Sequence, residues 1–110
     1  RMDKIAIHKH ICEELTKTYE YKNSRYGDSF AKVRKELGKW VIIVRLMDKL
    51  ERLKVLLNNP ELEPDDESIV DTLKDMANYC IMEVIERKVD LKKQKEIGDK
   101  TSLERWNEIW

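Results

Sequence analysis

Apolar residues recur along this chain at intervals of three and four, with almost no alternation, so the pattern predicts helices and no sheet. Ile7, Ile11, Leu15 and Tyr19 stack at four-residue steps on one side of a helix expected from about Asp3 to Tyr21. Asn23 to Ser29 reads as a turn around Gly27. A second helical stretch starts near Ser29, a suitable N-cap, and runs to about Asn58, with Gly38 as its weak point or break. Pro60 and Pro64 end it. Asp65 or Asp66 caps the next helix, Glu67 sits in its positive first turn, and Ile69, Leu73, Met76, Cys80 and Val84 form its main apolar stripe, to about Val89. Lys88 to Lys95 is a basic-rich connector, after which Thr101 and Glu104 fit a capping box, and Leu103, Trp106 and Trp110 give a short last helix one apolar edge. Residues 2–110 are thus expected to form a single all-α domain, with 91–110 its connector and terminal helix.

Both central helices carry a second stripe in which acids share a line with apolar residues. Val41, Val44, Asp48, Glu51 and Val55 step by three and four along one; Asp71, Asp75, Asn78, Met82, Ile85 and Val89 do so along the other, with Glu67 extending the line backwards. At about 100° per residue, Asp48 and Glu51 stand about 60° apart, and Asp71, Asp75 and Asn78 share a similar arc. If the two helices pack antiparallel through these seams, the carboxylates face one another in a cavity. There they must be protonated, paired with Arg or Lys, or bound to a metal. An all-oxygen set suits Mg²⁺, which shares its coordination with phosphates, and Lys22, Arg25, Arg45 and Lys49 are the candidate phosphate contacts. The plainer alternative is a pair of solvated faces whose acids pair with Arg45, Lys49, Arg52 and Lys74.

Charge narrows the partners. Charged residues make up 40% of the 110 residues, but Lys plus Arg equal Asp plus Glu, so no overall positive field favours a nucleic-acid polymer or an anionic membrane. No apolar run approaches the ~20 residues that span a bilayer, and the charged start lacks a signal-peptide pattern, which predicts a cytoplasmic protein. Arg1 before Met2 reads as an added residue. Cys12 and Cys80, in helical and partly apolar settings, are expected as reduced, buried thiols. His8, His10 and Cys12 have partial metal-ligand spacing but lack further ligands, and ordinary packed or surface roles are favoured. Trp40, Trp106 and Trp110 read as packing or oligomer contacts. Helices apolar on two faces in so short a chain predict a homodimer or homotetramer that completes the bundle.

The segments Lys22-Asn23-Ser24-Arg25-Tyr26-Gly27-Asp28-Ser29-Phe30, Arg45 to Leu53 and Glu67 to Tyr79 resemble the nucleotide-modification-associated domain 1 family of phages and prophages, over roughly Tyr19 to Val84. That family resembles the all-α, MazG-like nucleoside triphosphate pyrophosphohydrolases. The resemblance implies Mg²⁺-dependent release of pyrophosphate from a nucleotide, and assembly as an oligomeric helical bundle. The wider pattern pairs Glu-Glu-x-x-Glu on one helix with Glu-x-x-Asp on another. Asp48 and Glu51 match the spacing of the first and Asp75 the last acid of the second, while Thr72 stands where its partner belongs and Asp71 is one residue removed.

The expected site therefore has Asp48, Glu51, Asp71 and Asp75 as Mg²⁺ ligands, with Glu51 and Asp75 as the catalytic acids. Glu67 and Asn78 are secondary to them. Tyr26 and Phe30, flanking Gly27, are candidates to stack on a base, with Lys22, Asn23, Arg45, Lys49 and Asn78 on the rest of the nucleotide. The alternative for the two aromatics is that they anchor the turn, and for Asp28 that it bonds locally within it. The competing functional class is a noncatalytic phage interaction or nucleotide-binding module on the same scaffold.

Overall fold

The computed structural model describes residues 2–62, 65–96 and 107. Four α-helices, α1 (Lys4–Tyr26), α2 (Ser29–Leu37), α3 (Val41–Asn58) and α4 (Glu67–Glu96), and a short 3₁₀ turn at Pro60–Leu62 account for nearly all of them, with no strand among the described residues. The fold is all-α. None of these helices is long and apolar enough to cross a membrane.

Local chemistry sets the ends. Asp3 caps α1, its Oδ1 accepting from the Ile5 and Ala6 amides at 3.0 and 3.2 Å. The helix runs past Tyr21 because nothing between Asn23 and Tyr26 breaks it. It stops at Gly27, at φ 71°, whose N–H bonds the Asn23 carbonyl at 2.9 Å. Asp28, not Ser29, is the N-cap of α2, and it makes no side-chain bond to the helix. Gly38, at φ 91°, divides the expected second helix into α2 and α3, its N–H closing on the Arg34 carbonyl at 2.8 Å. At the start of α4, Asp65 Oδ1 accepts from the Glu67 amide at 3.3 Å. The helix passes Val89 to Glu96 through strong helix formers, Leu, Lys, Gln and Glu. The expected terminal helix, with Trp106 and Trp110, lies outside the described residues.

An α3–α4 hairpin is the centre of the fold. Lys49 meets Asp75 at 3.2 Å, and with only residues 59–66 joining two helices that pack extensively on each other, the pair is antiparallel. The expected α3 seam, apart from the buried Val41, is not its packing surface, whereas Asp75, Asn78, Met82 and Ile85 of the expected α4 seam are half-buried. On α3 the half-buried positions are Ile42, Arg45, Leu46, Lys49, Leu53 and Leu56, whereas Val44, Asp48, Glu51 and Val55 are exposed. On α4 the packed arc runs through Ile69, Thr72, Met76, Tyr79 and Glu83; Leu73, Cys80 and Val84 of the expected main stripe are exposed. The cause is register: α3 turns its leucine-bearing stripe, one residue along from the valine and acid stripe, towards α4.

α1 crosses the hairpin, tied by Lys74 Nζ to Glu14 Oε2 at 3.0 Å and by the Asn78 side-chain amide donating to the Leu15 carbonyl at 3.2 Å. α2 is latched to α4 by Arg34, whose guanidinium donates to both oxygens of the buried Glu83 at 2.9 and 3.2 Å and to Asp90 at 2.9 Å. Among the described residues, only Leu15, Phe30, Val41 and Leu91 are buried apolar side chains. Much apolar surface stays uncovered, including Ile43, Met47, Leu50 and Leu57 on α3 and Val70, Leu73, Ile81 and Val84 on α4.

Candidate functional site

A cavity of about 240 Å³ opens where the C-terminal end of α1 and the first turn of α2 meet the middle of the hairpin. Its wall brings together Lys22, Asn23, Tyr26, Phe30, Arg45, Lys49, Asp75 and Asn78 from four helices. Tyr19, Gly27, Asp28, Ser29, Tyr79 and Met82 complete it. All seven residues expected on the nucleotide are therefore neighbours in space.

Each is placed by packing that the helices require anyway. Phe30 is buried on α2, its ring 6.0 Å from that of Tyr79 in a tilted pair, which fixes the floor of the cleft and the height of the α2 start. Tyr26, by contrast, is 67% exposed at the rim, free to close over a flat ligand. Asn23 donates to the Tyr19 hydroxyl at 3.3 Å. The bond from Asn78 to Leu15 commits its amide nitrogen to bracing α1, so its part in the site is first positional. Arg25 of the same segment stacks over Tyr21, 5.4 Å from the ring centroid, and does not line the cleft.

The electrostatics are predominantly cationic. Lys22 and Lys49 reach Asp75 from opposite helices, at 3.5 Å to Oδ1 and 3.2 Å to Oδ2, and Arg45 adds a third cation. The first turn of α2, which contains no acid, opens on the same space and contributes the partial positive charge of a helix start. Asp28 is the second carboxylate of the wall. Nearby, burial lifts the Glu86 carboxyl above the usual range and the charge of Asp28 adds to the effect, against the pull of Arg34 and with the help of Asp90.

The four expected Mg²⁺ ligands are not brought together. Asp75 stands in the cleft between two lysines; Asp48, Asp71 and Glu67 are exposed outside it, and Glu51 is exposed and pairs with Lys54 at 3.0 Å one turn away. Among the described residues no group of three or more His, Cys, Asp or Glu side chains is arranged to hold a metal. That holds also for His8 and Cys12, which touch at 3.7 Å on the exposed side of α1, while His10 pairs with Glu14.

Tyr19, Gly27, Ser29, Tyr79 and Met82 are the wall residues that the sequence did not single out for the site, although Met82 stood on the expected α4 seam. For the last two the signal is positional, since Asp75, Asn78, Tyr79 and Met82 recur at three- and four-residue steps on the α4 arc facing the cleft. No curated protein and no solved structure matches the chain. The sequence profile of one family does, over residues 22–86, which is more than half of the chain and contains the whole cleft wall except Tyr19. With cations, amides and aromatics of the matched region converging on one cavity, the chain belongs to the nucleotide modification associated domain 1 family.

Proposed function

We propose that this protein binds a nucleoside polyphosphate in the cleft between α1, α2 and the α3–α4 hairpin. The observation that carries the reading is the convergence of Lys22, Arg45 and Lys49 with Tyr26, Phe30 and Tyr79 around one cavity of suitable chemistry. The cations suit the phosphates; the aromatic side suits a base, with Tyr26 at the rim and the Phe30–Tyr79 pair below. Calorimetric titration of a panel of ribo- and deoxyribonucleotides tests it. Binding that is lost in Lys22→Met/Arg45→Met, with helicity retained, is the expected result; no binding across the whole panel refutes it.

A second reading, favoured by the presence of Asp75 and Asp28 on the same wall as the cations, adds turnover: Mg²⁺-dependent release of pyrophosphate from the bound nucleotide, as in a MazG-like enzyme. The residues of a single chain do not fit the ion, because the one expected ligand in the cleft is already paired with two lysines and the other three point elsewhere. Product analysis across the same panel, with Mg²⁺ and with chelator, separates a binding module from an enzyme.

We further infer that a second copy covers the open face of the hairpin. On both α3 and α4 the exposed aliphatic stripe lies about 100° onward from the packed arc, and in an antiparallel pair that common offset puts both stripes on one face. Eight half-exposed aliphatic side chains offer on the order of 700 Å², close to the ~800 Å² per partner of a stable interface. Sedimentation equilibrium should show an associated wild-type protein and a monomeric Leu50→Lys/Leu73→Lys variant. A wild-type protein that is monomeric at high micromolar concentration contradicts this assembly.

A further inference from the structure

We propose that Asp75 is a tethered competitor for the phosphate site, so that ligand phosphate enters by displacing this carboxylate from Lys22 and Lys49 and needs no metal ion to do so. The inference deepens the nucleotide-binding reading and rests on it. Asp75 lies on the wall of the cleft in the N-terminal third of α4, one third exposed, with one oxygen towards each lysine. Two ammonium groups arriving from different helices at 3.5 and 3.2 Å make a cradle with the geometry and charge to take a doubly charged oxyanion. Arg45, on the same wall, has no carboxylate partner among the described residues. The cleft thus holds a surplus cation and two that are occupied only by the chain's own side chain.

The pairing is poised for exchange rather than locked. Lys22 is more than half exposed and its contact is at the long end of hydrogen-bond range, so replacing the carboxylate by a phosphate costs little that the phosphate's extra charge does not return. This contrasts with Arg34 and Glu83 on the other side of α4, where short bidentate contacts and near-complete burial make an exchange-resistant pair. Displacing Asp75 costs every ligand the same amount, so a weakly held phosphate fails to enter while a pyrophosphate or triphosphate, which gains more from Lys22, Lys49 and Arg45, still does, and no metal is required for it.

A metal-ligand role and a competitor role predict opposite signs for one substitution. The experiment is calorimetric titration of wild type, Asp75→Asn and Asp75→Ser with inorganic pyrophosphate, dATP and dAMP, in chelator and then in Mg²⁺, with circular dichroism melts of all three proteins. The expected result in chelator is that both variants bind pyrophosphate and dATP more tightly than wild type, by on the order of tenfold from removing one nearby negative charge. dAMP should gain as well, by no more than dATP does. Pyrophosphate binding by the variants alone, with none by wild type, equally supports the competitor role. If folded variants bind more weakly than wild type, or if wild type binds only in Mg²⁺, the competitor role is overturned while nucleotide binding stands. If neither wild type nor the folded variants bind any probe, both readings fall together.

Discussion

The buried ion pair between α2 and α4 offers the sharpest test of how this fold is held. Arg34 and Glu83 are 15% and 9% exposed, joined by two hydrogen bonds, and Glu83 also accepts from Arg87 at 2.7 Å. The hydrogen bonds that the guanidinium donates to Glu83, and then to Asp90, hold it firmly protonated against the cost of its burial. Removing one partner of a buried pair costs roughly 3–5 kcal/mol, mostly because the other charge is left unpaired. Here the survivor keeps some company, since Glu83 retains Arg87 and Arg34 retains Asp90, so each single substitution belongs at the low end. Arg34→Met and Glu83→Met should each cost about 3 kcal/mol. The double variant removes the desolvated charges together and should lose about 2 kcal/mol less than the sum of the two. Urea unfolding at one fixed protein concentration measures this, provided the denaturant slope is unchanged between variants. Losses below about 1 kcal/mol for both singles, or strictly additive losses, refute the account of a desolvated, coupled pair. The same latch carries Phe30 to the cleft, so Arg34→Met should also weaken nucleotide binding without touching the ligand.

Three further outcomes follow from particular residues. Phe30→Ala should destabilise by about 3–4 kcal/mol, seen as a lower urea midpoint, because a buried ring packed on Tyr79 is lost from a core with few buried side chains. Gly38→Ala should cost about 1–3 kcal/mol with no steric cause, since nothing lies within 4 Å of the added carbon and only the backbone, at φ 91° and ψ −172°, resists it; a neutral result by thermal melting contradicts that. The pH profile has two opposed limbs. Lys74 holds the Glu14 carboxyl below its ordinary value, so that contribution is present above the usual carboxylate range and fades as pH falls through the lowered value. Burial raises Glu86, so the native state holds its proton longer than the unfolded chain and stability declines as pH rises from the usual carboxylate range through the raised value. Glu86→Gln should remove only that second decline, measured by unfolding across the acidic range.

The helices are legible in the sequence because their signals are local. Asp3, Gly27, Gly38 and Asp65 act within one turn of themselves, and the structure uses all four to start or stop a helix. The misjudged boundaries are also local: polar residues 23–26 extend α1 instead of forming a turn, and residues 90–96 carry α4 past Val89, whereas Gly38, expected as a weak point or break, is the break between α2 and α3. The cleft is legible for a different reason. Lys22, Asn23, Tyr26 and Phe30 sit on either side of one glycine, so any fold of that turn keeps them close; Arg45, Lys49 and Asn78 lie where an antiparallel hairpin brings its middle turns together. Asp75 is on the cleft wall, whereas Asp48 and Glu51 lie outside it because periodicity identifies stripes without saying which stripe faces the neighbouring helix.

That choice of stripe decides the sign of the site. Asp48 and Lys49 are adjacent, so turning α3 by about 100° exchanges a carboxylate for an ammonium opposite Asp75. What selects Lys49 is the bulk of its companions. Ile42, Leu46, Leu53 and Leu56 share its side of the helix, whereas the acid stripe offers the smaller Val41, Val44 and Val55, of which Val41 is buried anyway, and burying a leucine or isoleucine in place of a valine gains about 0.8 kcal/mol for the extra methylene. Four larger side chains against two exposed valines favour the observed rotation by several kcal/mol, more than the ion pair of a partly exposed lysine contributes by itself. The cationic cleft is therefore a consequence of aliphatic packing on α4. Leu53→Asn, which removes apolar packing without altering any charge, should accordingly weaken the Lys49–Asp75 contact and nucleotide binding together. If binding survives while the hairpin loses stability, the cations are positioned independently of that packing.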